Sequence, residues 1–119
     1  MTLLKEHFVN LIDTTPERFD ADVFIIEKTV VLVTFWMPGH DLSRSILRFV
    51  RQTAAIFGRH IRVVCVDARK HPGLTTRFEI GQLPTFLIVT DHQVTDRVNT
   101  LDPLTLQARL RVALQSTSG

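Results

Sequence analysis

The chain has 119 residues, 45% of them hydrophobic and 22% charged, which suits one globular domain over residues 1–119 and excludes a disordered chain. No apolar run approaches the ~20 residues a bilayer span needs, and the opening MTLLKEHFVNLID is broken by Lys5, Glu6 and His7, so neither a membrane helix nor a signal peptide is expected. The single cysteine, Cys65, excludes an intrachain disulfide and points to the cytoplasm; the formal charge of +2 hides −4 over residues 1–27 and +7 over residues 28–77.

Phe8 to Ile12 suits a short first strand. Asp13-Thr14-Thr15-Pro16-Glu17 reads as a helix start, with Thr15 as N-cap and Pro16 at the first helical position. Phe19, Val23, Ile25 and Ile26 then give that helix an apolar face, ending near Lys28. Val30 to Trp36 is apolar or β-favouring throughout, short and branched enough for a buried strand. Met37-Pro38-Gly39-His40 ends it in a turn. Asp41 is the expected N-cap of a long helix in which Leu42, Ile46, Leu47, Val50, Ala54 and Phe57 recur at helical spacing, and Gly58 stops it.

Ile61 to Asp67 is a second buried strand, and His71-Pro72-Gly73 begins a short helix through Leu74 and Phe78. Leu83-Pro84 leads into a third strong strand, Thr85 to Thr90. Asp91-His92 is a two-residue turn into Gln93 to Asn99, where Val94 and Val98 are the apolar positions. Asp102-Pro103 caps a last helix whose apolar surface comes from Leu104, Leu106, Leu110 and Val112 to Leu114, and Gln115 to Gly119 is a polar, frayed tail. The order β-α-β-α-β-α-β-β-α predicts an α/β fold: a central mixed sheet with helices on both faces, some parallel pairing among the first three strands, and a hairpin near the end. Ligands in such sheets bind at the carboxyl ends of strands, here just beyond Trp36.

Four stretches resemble the thioredoxin family, in the family's order and spacing. They are Phe19-Asp20-x-Asp22-Val23, Val31-Leu32-Val33-x-Phe35-Trp36, Val66-Asp67 followed by His71-Pro72-Gly73, and Ile80-x-x-Leu83-Pro84-Thr85. The resemblance implies a thioredoxin-like fold, a cis-proline at Pro84, and a groove beside it that takes extended polypeptide. It places the family's two cysteines on His40 and Ser43, so Cys-x-x-Cys is replaced by His-Asp-Leu-Ser, and the family's buried acid on Thr34. Thiol–disulfide exchange needs one thiolate to attack and a second thiol to release the mixed disulfide. The expectation is therefore a redox-inactive protein that binds polypeptide partners as chaperone, adaptor or accessory subunit.

The expected protein-binding residues are Trp36, Met37, His40, Asp41, Ser43, Leu83, Pro84 and Thr85, with no catalytic residue, cofactor or metal. His40 lies at a helix N-terminus, where the dipole disfavours imidazolium, although an exposed loop histidine reads the same way. His40 and Ser43 lack a third group to orient them as base and nucleophile. The five histidines are scattered without ligand spacing. Cys65 among valines reads as a small buried hydrophobe. Arg44, Arg48 and Arg51 form one stripe on the long helix, without the aromatic interleaving or Gly-rich cradle of a nucleic-acid site. The expected partner is thus a polypeptide client or complex partner, not nucleic acid or membrane. Two other readings stand beside it: a non-redox enzyme or small-thiol-ligand site using His40 and Ser43, and a structural module with a vestigial groove.

Overall fold

The structure is a computed structural model that describes residues 11–25, 30–39 and 41–117. Five strands, β1 (Leu11–Asp13), β2 (Val30–Trp36), β3 (Ile61–Asp67), β4 (Thr85–Thr90) and β5 (Gln93–Val98), form one sheet in the order β1-β3-β2-β4-β5. Among the described residues, the helices α1 (Phe19–Val23), α2 (Ser43–Phe57), α3 (Pro72–Arg77) and α4 (Pro103–Thr117) lie between and after the strands, and a 3-10 turn follows α2. β1 and β2 both run parallel to β3, whereas β4 is antiparallel to β2 and β5 to β4.

The pleat of β2 divides the core in two. Val30 and Leu32 join Val63, Phe86 and Ile88 under α2 and α4, while Val31, Val33 and Phe35 join Val64, Leu87 and Val89 under α1 and α3. Burial on both faces explains why β2, β3 and β4 are nearly continuous apolar runs, and each fully buried Leu, Val or Phe contributes about 1.5–3 kcal/mol of transfer free energy. On α2 the buried residues Ile46, Phe49, Val50, Thr53, Ala54 and Phe57 follow one helical stripe. Gly58, at φ +55, ends that helix with its N–H bonded to the Ala54 carbonyl.

Local pattern and structure differ at several element ends. α1 begins at Phe19: residues 16–18 form a turn in which the Arg18 N–H donates to Thr15 O at 3.1 Å, and no side chain caps the helix. The Thr14 hydroxyl donates instead to Asp22 Oδ2 at 2.7 Å, tying the loop to the far side of α1. Ile25 is exposed. Ile26, Lys28 and the Phe8–Asn10 part of the expected first strand lie outside the described residues. Asp41 does not cap α2; Leu42 holds that position with near-helical dihedrals, φ −89 and ψ 0, and no side-chain cap bond forms.

The apolar face of α4 also shifts. Leu106, Leu110 and Ala113 are buried, whereas Leu104 and Val112 point to solvent because they lie about 200° round the helix from Leu106 and Leu110 respectively. Asp102 does cap α4, accepting from the Leu104 N–H at 3.3 Å and the Thr105 hydroxyl at 2.6 Å. The helix continues through Gln115 to Thr117, past the expected start of the tail. In the β4–β5 hairpin, Asp91 and His92 take positive φ values of 51 and 68, as a tight two-residue turn requires. Val89 pairs with Val94 but Ile88 with Asp96, so Thr95 is an extra residue in β5. That bulge puts Val94 and Val98 on opposite sides of the sheet: Val98 is buried opposite Phe86, and Val94 is exposed.

Candidate functional site

The loops leaving β2 and entering β4 meet because Phe35 and Thr85 are direct partners across the antiparallel β2–β4 pair. Between these loops and the start of α2 lies a hollow of about 310 Å³, lined by Met37, Leu42, Ile46, Gly81, Gln82 and Leu83. Its wall is mainly apolar, and Leu42 is 47% exposed beside it. The Leu83–Pro84 peptide is cis. Pro84 and Thr85 are buried under the rim, while Gly81 and Gln82 are exposed.

Polar contacts hold the rim. The Thr85 hydroxyl donates to the Gln82 carbonyl at 2.6 Å and accepts from Asn99 Nδ2 at 2.7 Å, so the end of β5 braces the turn that carries Pro84. Across the groove, the Arg69 guanidinium approaches Met37 Sδ at 3.3 Å. No turn or loop hydrogen bond engages the Leu83 amide or carbonyl among the described residues.

The expected site residues are therefore only partly brought together. Met37 and Leu83 both line the hollow, and Pro84 and Thr85 are buried next in the chain. Trp36 lines a different hollow, of about 550 Å³, with Thr15, Pro38, Cys65, Asp67 and His71. Asp41 is exposed and Ser43 is the half-buried first residue of α2; neither lines the groove. His40 lies outside the described residues. Leu42 and Gln82, which lie within the Trp36-to-Ser43 and Gln82-to-Thr85 stretches, belong to the site, and Ile46 and Asn99 join it or its support from outside those stretches.

Beneath the β2 loop the chemistry is neutral. Thr34 is 1% exposed and pairs with Cys65 on one side and Phe86 on the other. Among the described residues its Oγ1 has no hydrogen-bond partner. Cys65, the chain's only cysteine, is 5% exposed, and burial, reinforced by the nearby Asp13 carboxylate, pushes its thiol up to about 12. Such a thiol holds its proton at neutral pH and is a poor nucleophile. Among the described residues, no three His, Cys, Asp or Glu side chains gather to hold a metal ion, and no helix is long and apolar enough to cross a membrane.

The thioredoxin family model matches residues 10–111. The chain belongs to the thioredoxin family. Among its relatives, Thioredoxin C-2 of Corynebacterium nephridii is 27% identical over 84 residues, covering 71% of this chain and 77% of that one. A thioredoxin of Staphylococcus aureus is 25% identical over 93 residues, covering 78% and 86%. The crystal structure of thioredoxin from Trypanosoma brucei brucei superposes with a TM-score of 0.78 at 22% identity, covering 88% of this chain and 91% of that chain, a likeness of fold. Within this thioredoxin-like fold, the lone cysteine lies on β3, and Ser43 opens α2.

Proposed function

We propose that this thioredoxin-family protein is redox-inactive and binds polypeptide partners, as chaperone, adaptor or accessory subunit, in the groove between Met37 and Leu83. One observation carries the reading: the only thiol is buried on β3, while the apolar groove beside Pro84 stays open. A dithiol enzyme needs two accessible sulfurs at the loop, and this chain has one cysteine in all. The groove does not depend on sulfur. Met37 adapts to varied side chains, Leu42 and Leu83 add apolar contact, and the lack of a turn or loop hydrogen bond at Leu83 among the described residues supports pairing with an extended segment. The cytoplasm is the proposed compartment, since a lone thiol stays reduced there.

The test is a titration of reduced, carboxymethylated α-lactalbumin, an unfolded chain, into isotope-labelled protein, followed by amide shifts. Shifts centred on Met37, Leu42 to Ile46 and Gly81 to Thr85, with a Kd of about micromolar or weaker, are expected. Leu83→Asp should abolish them. Absence of shifts, or sustained disulfide reduction of insulin by the wild-type protein, would overturn the proposal.

A further inference from the structure

The outer face of α2 carries a second and separate pattern. From Leu42 to Val66 the chain holds Arg44, Arg48, Arg51, Arg59 and Arg62 and neither aspartate nor glutamate. Arg44, Arg48 and Arg51 lie on the solvent side of the helix, opposite the buried stripe from Ile46 to Phe57. Their spacing of four and three residues makes one row, with ends about 10 Å apart along the axis at 1.5 Å per residue. Most arginines elsewhere are engaged. Arg18 and Arg62 reach Asp22, Arg77 reaches Asp20, and Arg109 reaches Asp96. Arg97 donates to the Glu79 carbonyl, and Arg111 lies over the Phe57 ring. Arg44 and Arg48, by contrast, meet no carboxylate among the described residues.

The row borders an apolar floor. A hollow of about 460 Å³ is lined by Arg44, Leu47, Arg48, Arg51, Gln52 and Ala55. Ala55 and Gln52 also line a neighbouring hollow of about 330 Å³ with Ile56, whose side of the helix is open enough to leave it 54% exposed. Like charges one turn apart repel, and α2 has no acid of its own to offset them. An occupant that supplies carboxylates at one-turn spacing and apolar groups between them satisfies both features.

We propose that this face docks an acidic amphipathic helix of a partner protein, its apolar residues on Leu47 and Ala55 and its carboxylates on Arg44 and Arg48. The planar guanidinium fork suits carboxylate oxygens in a partly desolvated contact. A helix matches the row, because acids at i, i+4 and i+7 repeat the arginine spacing. Nucleic acid and anionic lipid fit less well: α2 has no lysine and no exposed aromatic ring for a base to stack on, and phosphate does not use an apolar floor. The proposal stands independently of the groove at Leu83.

The probe is a fluorescent helical peptide of roughly 20 residues with Leu at i, i+3, i+4 and i+7 and Glu on its flanks, added to the whole protein and followed by anisotropy. Binding that weakens with salt, with amide shifts along Arg44 to Ile56, is expected. Arg44→Glu combined with Arg48→Glu should weaken it by about tenfold or more, and a Lys-for-Glu peptide should then bind the variant in its place. Leu83→Asp should leave binding unchanged. Three results would overturn the proposal: no binding, loss of binding with Leu83→Asp alone, or tighter binding of a single-stranded oligonucleotide or of phosphatidylserine vesicles than of the peptide. Because the two arginines are exposed, circular dichroism of the variant should match the wild type.

Discussion

Replacing Thr34 with valine tests whether the position beneath the β2 loop has lost a polar task. Thr34 is 1% exposed, held between Cys65 and Phe86 in the middle of the sheet, and among the described residues its Oγ1 has no hydrogen-bond partner. Valine keeps the branched shape and puts a methyl where the hydroxyl was. A hydroxyl buried without a partner costs about 1–3 kcal/mol, so Thr34→Val should stabilise the fold by about 1–2 kcal/mol. At about 4 °C per kcal/mol the melting temperature should rise by about 4–8 °C. Urea unfolding followed by the fluorescence of Trp36, the sole tryptophan, measures the effect as a higher midpoint at unchanged slope. Thr34→Ala is the control: it removes the hydroxyl but also a packed methyl, and should not stabilise. Loss of stability in Thr34→Val would show that the hydroxyl is bonded in solution, and the reasoning would fail.

Cys65 sets an alkaline dependence. Its thiol is raised from 9.0 to about 12, so folded and unfolded chains both hold the proton below pH 9, and above it the unfolded chain loses the proton first; stability should fall between pH 9 and 12 by a total on the order of 4 kcal/mol. Cys65→Ala should remove this slope in urea titrations from pH 8 to pH 11, and parallel profiles would exclude Cys65 as the source. His40→Cys with Ser43→Cys should form a disulfide yet reduce insulin roughly a hundredfold more slowly than an ordinary thioredoxin assayed alongside, because Thr34 cannot act as a buried proton acceptor; equal rates would refute this. A double-mutant cycle of Thr14→Val and Asp22→Ala should give a coupling of about 1.5–3 kcal/mol, since the buried 2.7 Å hydrogen bond joins a hydroxyl to a carboxylate, and a coupling near zero would contradict the assignment.

The sheet was legible because burial on both faces makes β2, β3 and β4 continuous apolar runs, and their observed bounds match the expected ones. The start of α1 was not, because Thr14 bonds Asp22 eight residues away and Thr15 closes a turn on Arg18; Pro16 looks the same in either setting. Nor was the inward face of α4, where Leu104 and Val112 carry the right chemistry at the wrong angle. Met37 and Leu83 could be placed at the groove because each lies beside a proline that ends a strand or opens one. The family resemblance sets Trp36 on the same rim, with the cis-proline loop against the loop after β2, yet consecutive residues leaving a strand point to opposite sides, and Trp36 lines the other hollow. Leu42, Ile46, Gln82 and Asn99 converge from three distant stretches, a convergence that no local pattern records.

The extra residue at Thr95 bears on how the molecule behaves in a crowd. A five-stranded open sheet has two borders where another copy could add a strand and start a polymer. Within the described residues β1 spans three, Leu11–Asp13. β5 is longer, but Thr95 bends its ladder, and Asp96 and Arg97 beside it are tied back to Arg109 and the Glu79 carbonyl. Straightening that border by deleting Thr95 should make light scattering climb more steeply with concentration than that of the wild type. Unchanged scattering would mean that the bulge serves only to fit the Asp91-His92 turn.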